Sequence, residues 1–209
     1  MKSADGSPSI GTIRRSTKRL TAPARPVVLP LANAGGSRRH NREGVSLSPV
    51  THRSSARDFD CLLGSWTIDN LWLGPGGDWH RFRSTAIVTR HLDGLVLVDE
   101  YDMPSFPTRG HVKALNIRAF DEETAQWQLV WLASYCPPDF RPVVGAWTSP
   151  DEGEFLQTLV LPDGASVAVR FRYTRLAADH VHWEQAMSHD HGETWATDWT
   201  MDFHRRAPR

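Results

Sequence analysis

Residues 179–206, DHVHWEQAMSHDHGETWATDWTMDFHRR, alternate apolar or aromatic with polar side chains through Val181, Trp183 and Met187, and again through Trp195, Trp199, Met201 and Phe203. Successive side chains of a strand point to opposite faces, so period two marks a half-buried strand. Between the two runs lie Asp190 and Gly192, residue types that accept turn geometry. The stretch reads as a β-hairpin with one aromatic face, the wall of a barrel.

Outward from this hairpin the same pattern recurs back to Phe59. A short turn or helix is predicted at 58–63, then strands near 64–73, 79–91, 94–102, 110–120, 125–135, 142–149, 153–161, 165–176, 179–189 and 194–206. Gly74-Pro75-Gly76-Gly77, Asp93-Gly94, Asp151-Glu152-Gly153 and Pro162-Asp163-Gly164 supply hairpin turns. Helical periodicity is nearly absent. About ten sequential strands without a crossover helix predict an all-β, antiparallel up-and-down barrel, because a twisted sheet of that size closes and closure removes its edges.

The zero net charge of the 209-residue chain conceals a division. Residues 1–57 carry 11 Lys/Arg against 2 Asp/Glu and no Phe, Trp or Tyr, leaving 13 basic and 22 acidic residues to the remainder. A segment this poor in apolar surface cannot offset its ordering entropy, so 1–57 is expected to be a disordered basic tail and 58–209 the barrel domain. Arg14-Arg15 with Ala32-Asn33-Ala34 superficially resembles an export signal, but Arg25 and Pro23, Pro26 and Pro30 interrupt its apolar region. Clustered arginines without interleaved aromatics argue against a nucleic-acid partner. Cys61 and Cys136 are too few for a disulfide framework, which favours a reducing, cytoplasmic setting and leaves a single bridge open. No run approaches the roughly 20 apolar residues of a membrane span.

Small barrels either fill their interior with side chains or hold one small ligand. With nine Trp in the chain, a cavity walled by Trp131, Tyr173, Trp183 and Trp199 is expected to bind a small apolar or aromatic molecule, with Glu184, Arg172 and Glu100 orienting its polar end. Asp99, Glu100 and Glu184 are acidic residues set in apolar strands, and Arg118, Arg170 and Arg172 are the cations available to pair with them. A carboxylate turned into an apolar cavity has its pKa raised and can act as an acid or base. The alternative function is therefore a cofactor-independent isomerase, cyclase or dehydratase on a lipid-like or polyketide-like substrate, using Glu184 or Glu100. His180/His182 and His189/His191 form His-x-His pairs, and folding the final hairpin back at Gly192 would bring His204 and Asp202 near His180 as a three-ligand group at one barrel end. Neither metal nor cofactor is expected, and no G-x-S-x-G elbow or phosphate loop is present.

Gly64-Ser65-Trp66, with Arg205 or Arg206 on the last strand, resembles the calycin superfamily of lipocalins and fatty-acid-binding proteins. The resemblance implies an indole closing one barrel end under a basic side chain, a cation–π lid. The FDxxLGxW start at Phe59, Trp183-Glu184, the DxGxTW turn at Asp190 and MDFxR at Met201 resemble uncharacterised bacterial lipocalin-like proteins. That resemblance implies a fold and leaves activity open. Residues 188–195 also resemble an Asp-box, S-x-D-x-G-x-x-W, which implies a structural role for Asp190 and Gly192 in the turn. It occurs once, which excludes a propeller.

Overall fold

The structure, a computed structural model, describes residues 52–160 and 164–207. The tail expected over 1–57 lies outside the described residues as far as 51, as do Pro162 and Asp163 of one expected turn.

Ten strands follow a 3₁₀ turn at Asp58–Leu62: β1 (Gly64–Leu73), β2 (Trp79–His91), β3 (Val96–Phe106), β4 (Gly110–Asp121), β5 (Gln126–Ala133), β6 (Val143–Trp147), β7 (Glu152–Val160), β8 (Ser166–Ala177), β9 (His180–Ser188) and β10 (Ala196–Arg205). Each pairs antiparallel with its neighbour in the chain, and β1 pairs with β10, so the sheet is a closed up-and-down barrel. No helix among the described residues is long and apolar enough to cross a membrane.

Alternation decides which residues form the core. On β10, Trp199, Met201 and Phe203 are buried, and on β9 Val181 and Trp183 are buried opposite Phe203 and Met201. The alternation is broken at one point: the β9–β10 register shifts between Thr197 and Trp199, leaving Asp198 as an extra residue. Such a bulge reverses the facing of everything before it. Trp195, read above as in phase with Trp199, therefore lies outside, with the Arg170 guanidinium 4.4 Å from its ring centre.

Two further expectations change. β3 runs to Phe106 rather than ending at 102, because a register shift after Met103 lets Pro104 sit where no ladder hydrogen bond is needed. Gly153 is inside β7; the turn before it closes through Thr148 and Ser149 N–H groups donating to the Glu152 carbonyl at 2.8 and 3.2 Å. The cysteines are both free. The segment entering the barrel is engaged ahead of Asp58: Ser54 is buried, donates to Asp58 at 2.6 Å and accepts from the Trp147 backbone N–H at 3.3 Å.

One end of the barrel is filled. Phe59 and Leu62, from the 3₁₀ turn, are fully buried, and Phe59 meets Trp127, Trp147 and Tyr173 edge to face at 4.9, 5.3 and 5.0 Å. The Trp66 indole donates to the Leu62 carbonyl at 2.6 Å, fixing the turn across the opening. Arg205 lies over the Trp66 ring at 4.2 Å and donates to the Leu63, Cys61 and Ala178 carbonyls. Gly64, at φ +107°, makes the bend from turn to strand, and a side chain there would crowd Arg205.

Candidate functional site

The other end is hollow. A cavity of about 470 Å³ opens beside the β1–β2, β3–β4 and β9–β10 connections. Trp72, Phe106, Trp131, Tyr135, Phe171, Trp183 and Trp199 supply its aromatic surface, and Met187 and Met201 add flexible apolar walls. Its volume falls within the usual range for small-molecule sites, which combine apolar walls with few polar groups. β5 and β6 pair only through residues 127–129 and 143–145, toward the filled end, so residues 130–133 of β5, beside the cavity, have no partner on β6.

Three indoles set the shape. Trp199 meets Trp131 at 6.0 Å and Trp183 at 5.7 Å, both nearly perpendicular. Its own orientation is held from behind, where its Nε1–H donates to Asn70 at 3.2 Å and Asn70 donates to Ser84 at 2.9 Å. Trp183 is buried against Phe171 at 5.1 Å, and its Nε1–H has no acceptor among the described residues. The Trp127 and Trp147 Nε1–H groups of the filled end are likewise without an acceptor among the described residues.

Asp198 is the acidic residue of the lining. The bulge turns it toward the lumen beside Gln185, whose side-chain amide donates to its two oxygens at 3.0 and 3.2 Å. Burial pushes its carboxyl above the ordinary range, against the pull of Gln185. Asn116 and Tyr173 lie deeper in the lining, and Arg109, on the β3–β4 turn, is exposed with its guanidinium 5.2 Å from the centre of the Tyr135 ring.

Beneath the cavity a charged pair is sealed in the filled half. Asp99 and Arg118 are fully buried and joined by a short hydrogen bond. Tyr101 donates to the second Asp99 oxygen at 3.0 Å, and Arg118 donates to the Tyr173 hydroxyl at 3.2 Å. Burial raises the Asp99 carboxyl, opposed by the Arg118 charge. The Arg118 guanidinium also lies 4.7 Å from the Phe59 ring centre, so the pair is enclosed by aromatic rings. Tyr173 belongs to both halves, lining the cavity and packing on Phe59.

The four aromatic residues named from sequence, Trp131, Tyr173, Trp183 and Trp199, come together around this cavity. The charged residues named with them do not. Glu100 is exposed on β3, because the inward residues of that strand are Asp99 and Tyr101. Glu184 and Arg172 stand opposite each other on the outer wall, where Arg170 reaches Glu184 at 3.3 Å and Arg172 reaches Glu154 at 2.8 Å. Strand parity is the reason: each is adjacent in sequence to an inward aromatic, Trp183 or Tyr173. Phe171 and Gln185 are in phase with those aromatics and were legible on that ground. Asp198 was not, because the bulge that aims it leaves no periodic signal.

Three histidines, His180, His182 and His204, gather on the outer wall of β9 and β10. His180 and His182 contact the same Asp202 oxygen at 3.2 and 2.9 Å, and the His180 ring stacks on His204 at 4.5 Å. Burial raises the Asp202 carboxyl, but the bonds to His182 and His180 outweigh it and leave its pKa lowered. No group of three or more His, Cys, Asp or Glu among the described residues is arranged to hold a metal ion. Asp190 closes the β9–β10 turn, accepting from the Ser188 hydroxyl, Thr194 N–H and Thr194 hydroxyl at 2.7, 2.9 and 2.6 Å, while Gly192 adopts φ +94°.

No family model and no curated protein matches this chain. Solved structures that it resembles include Rv2717c from M. tuberculosis, at 13% identity over 75% of this chain and 100% of that one, with a TM-score of 0.50. An S-type phycobiliprotein lyase from Guillardia theta shares 14% identity over 72% of this chain and 92% of its own, with a TM-score of 0.45. At 13% identity the likeness to Rv2717c is one of fold.

Proposed function

We propose that this protein binds a small, mostly apolar or aromatic molecule in the open half of a calycin-like barrel. The observation that carries the reading is the division of the interior: one end is filled by Phe59, Leu62 and Trp66, whereas the other leaves about 470 Å³ among aromatic rings. A barrel that needed only a core would fill both halves, since unfilled apolar volume costs about 24 cal/mol per Å³. The site residues are Trp131, Tyr173, Trp183 and Trp199 as walls, with Gln185 and Asp198 as polar contacts in place of Glu184, Arg172 and Glu100.

The test is native mass spectrometry of the full chain purified from its source, before and after denaturation, alongside tryptophan-fluorescence titration with naphthalene derivatives. A released small molecule, or saturable quenching that Met201→Trp abolishes in a folded variant, is the expected result. No retained molecule together with no quenching by any derivative overturns the reading.

A second reading, a cofactor-independent isomerase, cyclase or dehydratase on a lipid-like or polyketide-like substrate, is favoured by one observation: a carboxylate with raised pKa lines the cavity. The acid/base group would then be Asp198, not Glu184 or Glu100. Asp198→Asn should lower kcat by roughly 10²–10⁴ with binding retained, and unchanged turnover would overturn it.

A further inference from the structure

The lining holds one feature that an oil-binding pocket does not need. Asp198 interrupts the β9–β10 ladder, and the interruption points a carboxylate into a space walled mostly by rings and thioethers. Its protein partner is a neutral amide, Gln185, and it has no ion-pair partner among the described residues. The contrast with Asp99 is direct, because that carboxylate is matched by Arg118.

We propose that the cavity is a recognition site for an organic cation, an amine carried on an aromatic or alicyclic body, with its ammonium group held between Asp198 and the indole faces. This rests on the cavity-binding reading above and names the ligand class. An ammonium donates to a carboxylate through charge-assisted hydrogen bonds. Ring faces attract cations through their quadrupoles, and aromatic cages are a recurring solution for ammonium ligands. Trp131 and Trp183 stand nearly perpendicular to Trp199, so the rings present differently oriented surfaces to one guest. The remaining charged lining residue, Arg109, is exposed at the rim, where solvent screens it. An anionic ligand would gain little from Arg109 and would meet like charge at Asp198. The raised pKa of Asp198 agrees with this, since a carboxylate held out of water without a cation is the group an incoming ammonium stabilises.

The test compares three probes on one naphthalene body, near neutral pH, by isothermal titration of the full chain: 2-naphthylmethylamine, 2-ethylnaphthalene and 2-naphthylacetate. The amine is expected to bind about tenfold or more tightly than its neutral isostere, with the carboxylate weakest. Asp198→Asn should remove the preference for the amine and leave 2-ethylnaphthalene affinity within about twofold, which also shows that the variant folds. Equal binding of amine and isostere, a preference that survives Asp198→Asn, or tighter binding of 2-naphthylacetate each overturns the cation assignment while the cavity reading stands. Failure of all three probes to bind counts against both.

Discussion

Asp99 of β3 and Arg118 of β4 form an ion pair with no exposed side-chain surface on either partner. Two buried charges of this kind stabilise little relative to an apolar pair, but removing one strands the other. Arg118→Met should therefore destabilise the barrel by about 3–5 kcal/mol, whereas Asp99→Asn with Arg118→Met should cost clearly less than the two single changes combined. Urea unfolding of the three variants measures this, and additive losses would show that the charges do not depend on each other.

Arg205 ties the last strand to the turn that plugs the barrel. Its guanidinium covers Trp66 and donates to the Leu63 and Cys61 carbonyls at 2.6 and 2.7 Å. Because its side chain is exposed, Arg205→Ala should cost only about 1–2 kcal/mol, and Arg205→Lys should recover part of that, since an ammonium keeps the charge without the planar fork. The expected readout is a lower urea midpoint at unchanged m; equal stability of all three chains would mean that the lid contributes nothing.

Gly145 of β6 pairs with Phe155 of β7. A Cβ there would collide with the Glu154 carbonyl oxygen and lie 2.6 Å from the Phe155 Cα, both backbone atoms of the paired strand. Relief requires the strands to separate at the five-residue β6, already paired to β5 through three positions. Gly145→Ala should destabilise by about 3 kcal/mol or more, the upper end of overpacking. A melting temperature within a degree or so of wild type would refute this.

The barrel was legible in sequence because its signals are periodic and repeated: every strand read from alternation is present, with Gly74–Gly77 and Asp93-Gly94 between strands as expected. The aromatic side of the cavity was legible for the same reason. Its polar side was not. Glu184 and Arg172 attract notice as charges within apolar strands, yet each is one residue out of phase with the buried aromatic beside it. Asp198 lies in a turn-proximal stretch, ATDW, where strict period two from Trp195 to Trp199 places it outside; a single extra residue in the ladder inverts that. Alternation reports which faces are apolar, whereas a bulge depends on the register between two strands.

The two thiols should differ in reactivity. Burial pushes the Cys61 thiol up to about 11, whereas Cys136 is exposed beyond the end of β5. The thiolate is the reactive form. At neutral pH an aromatic disulfide reagent should titrate one thiol in the native chain and both after denaturation, and Cys136→Ser should abolish the native reaction. Rapid native labelling of both would mean that the 3₁₀ plug opens readily.

Asp190 links the β9–β10 turn to acid stability. Hydrogen bonds from the Thr194 hydroxyl, the Thr194 N–H and the Ser188 hydroxyl hold its carboxyl down at about 2. An unfolded-chain aspartate titrates near 3.9, so the folded pKa is depressed and the unfolded state binds the proton first. The stabilisation is present in full above about pH 4 and is lost as pH falls toward about 2. Asp190→Asn removes the ionisable acceptor, so the Tm gap between wild type and variant should be widest above about pH 5 and close over that acidic window. A gap independent of pH would show that the turn depends on the shape of the side chain, and not on its charge.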